Sequence, residues 1–234
     1  MRQAQESEII RLSMHIREGE SISSFKAAGE QVQIFSPKEV VDGMFTWADQ
    51  ILCATNEKRE NINHYVRKML NYQDTPQVGD KVISLRNHWD IFSASGDWVL
   101  TNGTIGYIEN LSVQKIQIPK FICVKPIDYM YTNVKLDSDD TFQYLPIDYN
   151  YLLTGKSILT TNQKVAMNAS KHSPDAPLEF TYAYAMTTWK AQGSEWNKIL
   201  GYEETFPYDK ETHKRFLYTM VTRASEKLVL IKKE

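Results

Sequence analysis

The stretch from Phe180 to Lys232 constrains the fold most. It carries three short apolar runs, Phe180–Met186, Trp196–Tyr202 and Leu228–Ile231, set apart by polar segments. Each run is rich in β-branched or aromatic residues and bounded by turn or helix signals, which reads as three buried strands. The first feeds into Thr187-Thr188-Trp189-Lys190-Ala191-Gln192-Gly193, where a helix turn is expected directly after the strand. In an open α/β sheet, ligands gather at such strand ends. A helix is expected from about Lys210 to Arg223. Phe216, Leu217, Met220, Val221 and Ala224 line one side of it, and Arg215, Thr219 and Arg223 share the other. Arg223 thus emerges at the helix end beside a strand, where a guanidinium can grip an anion in two-pronged fashion. A surface arginine that merely favours a helix C-terminus fits the same spacing.

TTWKAQGSEW and RFLYTMVTRASEKLVLI resemble the fifth and sixth motifs of superfamily 1 DNA helicases. The likeness is greatest to the RecD/Dda-like branch, the kind of the exodeoxyribonuclease V alpha subunit. That branch usually has histidine where this chain has Trp189, whereas Lys190, Ala191, Gln192, Gly193 and Glu195 stand as the pattern wants. The resemblance implies an α/β fold, a RecA-like second motor domain with a parallel sheet between helices, interrupted by a small antiparallel β-barrel.

Composition is that of an ordinary globular protein, and the formal net charge of −2 leaves no global basic field. Any nucleic-acid contact must then be a local groove. Cys53 and Cys123 sit in apolar runs without metal-ligand spacing and read as buried thiols of a reducing, cytoplasmic compartment. The five histidines are scattered, so no metal site is expected. No run approaches membrane-spanning length, and no signal-peptide segment opens the chain.

The chain starts with a helix that has Ser7 as N-cap, Ile9, Leu12 and Ile16 on one face, and Gly19 as its stop. RQAQESEII resembles the opening of the second motor domain in the same helicases, which implies that Arg2 reaches the γ-phosphate of ATP. A flexible basic terminus is the alternative. Gln31–Phe35 reads as a strand. Ser36-Pro37-Lys38-Glu39 carries the N-cap, N1 proline and N3 glutamate of a helix whose inward face is Val40, Val41, Met44, Phe45 and Ala48. Ile51–Ala54 is the next strand, followed by an amphipathic helix burying Ile62, Tyr65, Val66, Met69 and Leu70. That helix starts just after a strand, so its free N–H groups favour a phosphate. ILCATNEKRENIN resembles the fourth helicase motif, which implies that Thr55 and Asn56 touch the DNA backbone. Plain N-capping by either residue is compatible with this.

After Asp74-Thr75-Pro76 the α/β alternation stops. Short strand-like runs follow at Lys81–Leu85, Trp98–Thr101, Thr104–Glu109, Ser112–Ile118, Phe121–Val124 and Phe142–Ile147, which reads as an antiparallel β insertion. VGDKVISLRN and TNGTIGYIENL resemble the Src-homology-3-like barrel that these helicases insert. Tyr129, Tyr131, Tyr144, Tyr149 and Tyr151 are either base-stacking rings or cross-strand packing. Three segments result: residues 1–76 and 178–234 as parts of one motor domain, and 77–177 as the insertion. The resemblance covers 1–18, 49–107 and 178–232.

NYLLTGKS, ending in Gly155-Lys156-Ser157, imitates a phosphate loop, but Asn150 stands where glycine is needed and Tyr151, Leu152 and Leu153 are too bulky to wrap a phosphate. No other phosphate-loop pattern occurs, nor an apolar strand ending in Asp-Glu to hold magnesium. ATP hydrolysis by such motors needs those parts from one domain and an arginine finger from the facing one. The resemblance therefore implies a C-terminal motor half, binding ATP and Mg2+ jointly with a first RecA-like motor domain. Arg223 and Arg2 are the catalytic arginines of that reading, and Gln192, Gly193 and Glu195 lie near the nucleotide. Thr55, Asn56, Thr187, Thr188 and Lys190 hold single-stranded DNA. The competing reading is a non-enzymatic single-stranded-DNA-binding module. A small α/β hydrolase is a third, but it lacks G-x-S-x-G and a histidine partner.

Overall fold

The computed structural model describes residues 7–123, 125–170, 173–205 and 209–233. In chain order the α-helices are α1 (Glu8–Arg17), α2 (Asp42–Trp47), α3 (Asn56–Met69), α4 (Tyr149–Thr154), α5 (Thr161–Ala169) and α6 (Lys210–Val221). The strands are β1 (Val32–Phe35), β2 (Gln50–Cys53), β3 (Lys81–Ser84), β4 (His88–Phe92), β5 (Val99–Leu100) and β6 (Ile105–Ile116), then β7 (Ile127–Lys135), β8 (Thr141–Asp148), β9 (Phe180–Tyr182), β10 (Ala185–Thr187), β11 (Trp196–Tyr202) and β12 (Ala224–Ile231). Two compact units result, one from residues up to Leu70 together with those from Tyr184 onward, the other from Asn71–Ala183.

The first unit is a five-stranded sheet in the order β1-β12-β11-β2-β10, parallel at every pairing. Parallel strands need both faces covered, and the sequence supplies near-continuous apolar runs for that purpose. Ile51, Cys53, Ala185, Leu200, Tyr202, Val229 and Ile231 form one core with Ile62 and Val66 of α3, and Met44, Phe45 and Trp47 of α2 pack on its margin. On the other side α1 packs against α6 and β12. The approach of α6 to β11 is close: a Cβ on Gly201 would come within 2.5 Å of Met220 Sδ and 2.8 Å of Leu230 Cδ2. A side chain there would drive helix and strand apart. The expected α/β architecture of a parallel sheet between helices is present.

Two local expectations are corrected. The run Phe180–Met186 is two strands, because β9 pairs with β3 in the second unit and β10 with β2 in the first. The helix expected from Pro37 to Ala48 is also broken. The capping box of Ser36 and Glu39 is formed, but it closes only a 3-10 turn, Pro37–Glu39; Val40 and Val41 are extended before α2 begins. Two successive β-branched residues favour that extended backbone.

The second unit is an antiparallel sheet in the order β8-β7-β6-β3-β9, with a separate β4–β5 ribbon. Its core gathers Val82, Leu100, Ile108, Met130, Phe142, Ile147 and Phe180, among others. Among the described residues no ladder joins β8 to β9; a parallel bridge, Ile147 to Leu178, brings the segment before β9 against β8. Thr104–Glu109 and Ser112–Ile118 prove to be parts of one strand, β6, and the run expected at Trp98–Thr101 shrinks to β5. Phe121 and Ile122 lie in a turn, and Val124 lies outside the described residues. Strands β4 and β7 were not expected. In β7 the polar Asp128, Thr132 and Asn133 mask the apolar signal, although Tyr129, Met130 and Val134 are buried. NYLLTGKS is α4 closed by Gly155 in the left-handed region (φ 68°), with Asp148 as N-cap accepting from the Tyr151 N–H (2.9 Å) and from the Ser157 hydroxyl. Its glycine ends a helix instead of opening one, so it does not form a phosphate loop.

One carboxylate holds the start of the chain to the sheet. Glu8, only 5% exposed, accepts hydrogen bonds from the backbone N–H groups of Ala28, Gly29 (2.7 Å), Gln31 (3.0 Å) and Val32 (3.3 Å), while its own N–H donates to Gln31 Oε1 (2.9 Å). Burial pushes its pKa up, but the four N–H donors outweigh burial and hold it below the ordinary 4.5. Its stabilisation is therefore complete above the unfolded-state pKa and is lost as pH falls through the lower folded-state value. Glu8→Gln is expected to cost about 2–3 kcal/mol at pH 7, because an amide cannot accept at all four donors. The gap from wild type should shrink below pH 4.5 in urea unfolding. A gap independent of pH would show that the charge is not what binds.

Candidate functional site

The register of the parallel sheet sorts the candidate residues into two groups. At the carboxyl edge, Thr187 ends β10 opposite Cys53, which ends β2, and Thr55 and Asn56 follow directly. Gly201 pairs with Leu52, so the residues after Tyr202 emerge at the same edge. At the amino edge, Trp196 pairs with Ala224, and its N–H donates to the Arg223 carbonyl (2.9 Å). Ser194, Glu195 and Arg223 therefore meet there.

Arg223 is half-buried and firmly placed. Its Nε donates to the Thr219 carbonyl, Nη1 to the Ser194 carbonyl and Nη2 to Thr222 Oγ1, each at 3.1 Å. A guanidinium has five N–H donors, so three such bonds fix its plane and leave two N–H groups for an anion. Gln192, Gly193 and Glu195, flanking Ser194, are exposed. Gly193 has φ +89°, which only glycine adopts readily, and nothing lies within 4 Å of the place its Cβ would take. The expected helix turn after β10 is instead a chain of tight turns: Lys190 N–H to Thr187 O (2.9 Å), Ala191 N–H to Thr187 O and Thr188 O (3.2 Å each), Ser194 N–H to Ala191 O (3.1 Å). A continuous helix would have no room for Gly193 in that backbone conformation. Trp189 leans on Phe216 of α6 with ring centroids 6.4 Å apart and stays partly exposed. Arg2 lies outside the described residues.

Thr187 is half-exposed and Lys190 half-buried on the same turns. Thr188 is placed differently from the expectation of a DNA contact. It is fully buried, and both its N–H (2.8 Å) and its hydroxyl (3.2 Å) donate to the Cys53 carbonyl. It ties the end of β10 to the end of β2. A second tie lies beside it: Asn63 of α3 accepts from the Ala185 N–H (2.7 Å) and donates to the Ala185 carbonyl (3.2 Å), copying a strand's peptide on the outer side of β10. The Cys53 thiol is pushed up to about 12 by burial and then by Glu204, which makes it an unreactive core group. Cys123 is half-buried rather than buried.

The residue that sequence reading missed is Glu204. Its carboxylate accepts from the Ala54 N–H, the Thr55 N–H (3.2 Å) and the Thr55 hydroxyl (2.7 Å), while Thr55 Oγ1 accepts in turn from the Lys58 N–H (3.2 Å). The N-terminus of α3 thus already holds an anion, supplied by the chain itself. The available signal was the acidic pair Glu203-Glu204 just after a buried strand. Its neighbour Glu203 turns elsewhere, to His213 Nε2 (3.1 Å) and the Lys233 N–H (3.1 Å).

Residues 182–231 match the profile of the UvrD-like helicase C-terminal domain. The resemblance to the C-terminal half of a superfamily 1 helicase is borne out. The matched segment contains β10, the turns around Gly193, β11, α6 and all of β12, so it spans both groups of candidate residues apart from Thr55 and Asn56. No curated protein matches the chain. Among solved structures, the Pif1 helicase from Candida albicans is similar at 13% identity and a TM-score of 0.52, over 100% of this chain and 55% of that one. Pif1 from Bacteroides in complex with ADP-AlF3 and single-stranded DNA is similar at 15% identity and a TM-score of 0.48, over 98% and 49%. At such identities the likeness to the Candida albicans enzyme is one of fold. The chain spans about half the length of these helicases. The matches do not single out the RecD/Dda-like branch.

The helicase-like segment gives Thr188 a test. Thr188→Val keeps shape and removes the hydroxyl, and should cost about 1 kcal/mol in urea unfolding. A loss of stability of that size marks Thr188 as a structural tie; weakened binding of single-stranded DNA at unchanged stability would assign it a direct contact instead.

Proposed function

We propose that this chain is the C-terminal motor portion of an ATP-dependent helicase that moves on single-stranded DNA and unwinds duplex, acting in the cytoplasm. The observation that carries the reading is the Arg223 guanidinium, held by the Ser194 carbonyl on the loop of Gln192, Gly193 and Glu195. The fifth and sixth motif segments thereby meet at one edge of the sheet. A facing first motor domain would bring the phosphate loop and the magnesium ligands. Arg223 would supply the two remaining N–H donors to the charge that develops on the transferred phosphoryl group, with Arg2 as a second cation. Glu195 would take the ribose, and Gln192 and Gly193 the phosphate side.

DNA belongs at the opposite edge in this reading. Thr55, Asn56, Thr187 and Lys190 would hold backbone phosphates. The donors of Ala54 and Thr55 are filled by Glu204, so a phosphate can enter there only by displacing that carboxylate. Replacing Glu204 with glutamine removes a competing charge at a helix N-terminus. It should tighten binding of a single-stranded oligonucleotide about two- to fivefold, as read by fluorescence anisotropy. Weaker binding would mean that Glu204 serves the DNA site instead of blocking it.

The ATPase test uses this chain alone and the same chain joined to a first motor domain. Single-stranded-DNA-stimulated hydrolysis is expected only from the joined form, and Arg223→Ala should lower it by about 10³-fold or more. Hydrolysis by the chain alone would sink the half-motor reading, and a fully active joined Arg223→Ala form would remove the finger role. A chain that binds single-stranded DNA equally with and without nucleotide, and gains no activity when joined, is a binding module.

A further inference from the structure

Of the eight tyrosines of the second unit, the five considered above as stacking or packing rings separate by environment. Tyr129 is buried, with its hydroxyl donating to the Asp175 carbonyl (2.8 Å). Tyr149 packs on the main core of the unit, and Lys164 Nζ lies 5.9 Å from the Tyr151 ring centroid. Tyr131 is half-buried, 6.1 Å from Tyr129. Tyr144 is 68% exposed and stacks on Tyr131 with centroids 4.8 Å apart and planes 25° apart. Tyr129, Tyr131 and Tyr144 thus form a ladder of rings from the core to the surface, and its last ring has one face covered and one open.

The backbone spends conformational energy to present that ring. Between the pairs Thr132–Leu145 and Val134–Phe142, the single residue Asn133 of β7 opposes Gln143 and Tyr144 of β8. This is a β-bulge, and Tyr144 sits at its left-handed position with φ 54°. Glycine normally takes such a place, and a bulky residue there is an outlier. Asn133 braces it. Its N–H donates to Asn110 Oδ1 (2.9 Å), and its Oδ1 accepts from the Tyr144 N–H (2.9 Å). Bulges re-aim side chains, and backbone strain of this kind persists where the aimed group has a use.

We propose that Tyr144, backed by Tyr131, is a stacking platform for one unpaired base of single-stranded nucleic acid. A flat ring with one open face takes any base, because every base has a π-face. The proposal rests on single-stranded DNA being a partner, and adds a contact to bases to the phosphate contacts proposed for the first unit.

The test measures binding of an oligothymidylate and of an abasic oligonucleotide of equal length, by fluorescence anisotropy, with thermal unfolding of each variant. Tyr144→Asn removes the ring while tolerating the positive φ, and Tyr144→Phe keeps the ring. Wild type should prefer the oligothymidylate. Tyr144→Asn should lose about fivefold or more of that affinity at unchanged or higher melting temperature, and leave abasic binding unaltered. Tyr144→Phe should bind like wild type. Equal affinity of wild type for both oligonucleotides, or an unaffected Tyr144→Asn, overturns the platform while leaving the DNA reading intact. Failure of wild type to bind either oligonucleotide overturns both.

Discussion

The backbone hydrogen bonds of β11, shared with β2 on one side and β12 on the other, hold the first unit together. Both partners run parallel to it, so every connection returns to the amino edge before the next strand starts. That rule places Arg223 and Ser194 at one edge and Thr55, Thr187 and Glu204 at the other. A strand of seven residues separates the two groups by roughly 20 Å.

Much of this was legible in the sequence because buried parallel strands leave an unmistakable trace. Trp196–Tyr202 and Leu228–Ile231 are too apolar for a solvated element, and the stripe of Phe216, Leu217, Met220 and Val221 fits a helix on their face. The residues of TTWKAQGSEW and RFLYTMVTRASEKLVLI carried the helicase resemblance. The antiparallel unit was harder to read. Apart from β3, its strands are only partly buried, and in β7 the polar residues that serve a bulge obscure the alternation. The split between β9 and β10 was invisible, because strand-forming residues run through it and only the choice of partner strand differs. Backbone groups were the other blind spot. The Ser194 carbonyl that holds Arg223 and the N–H groups that hold Glu8 and Glu204 belong to whichever residue happens to be there.

Glu8 and Glu204 show one physical device used twice. In each case a carboxylate gathers several backbone N–H groups that have no partner in a helix or ladder. Glu8 is almost wholly buried and its donors come from a connecting segment, so the pairing reads as architecture. Glu204 sits at the rim, on donors that open a long helix, where outside anions can compete. The difference between the two is one of exposure rather than of chemistry.

The amide of Asn63 has a consequence for how molecules of this chain meet one another. Strand β10 forms the outer rim of the parallel sheet, and an unpaired rim is a template on which a neighbour's strand can build. Here the strand is three residues long, and the N–H and C=O of Ala185 are already taken by the Asn63 side chain. A neighbouring backbone arriving at that rim would find the rung at Ala185 occupied. At this edge one buried asparagine thereby discourages growth of the sheet by a neighbour's strand.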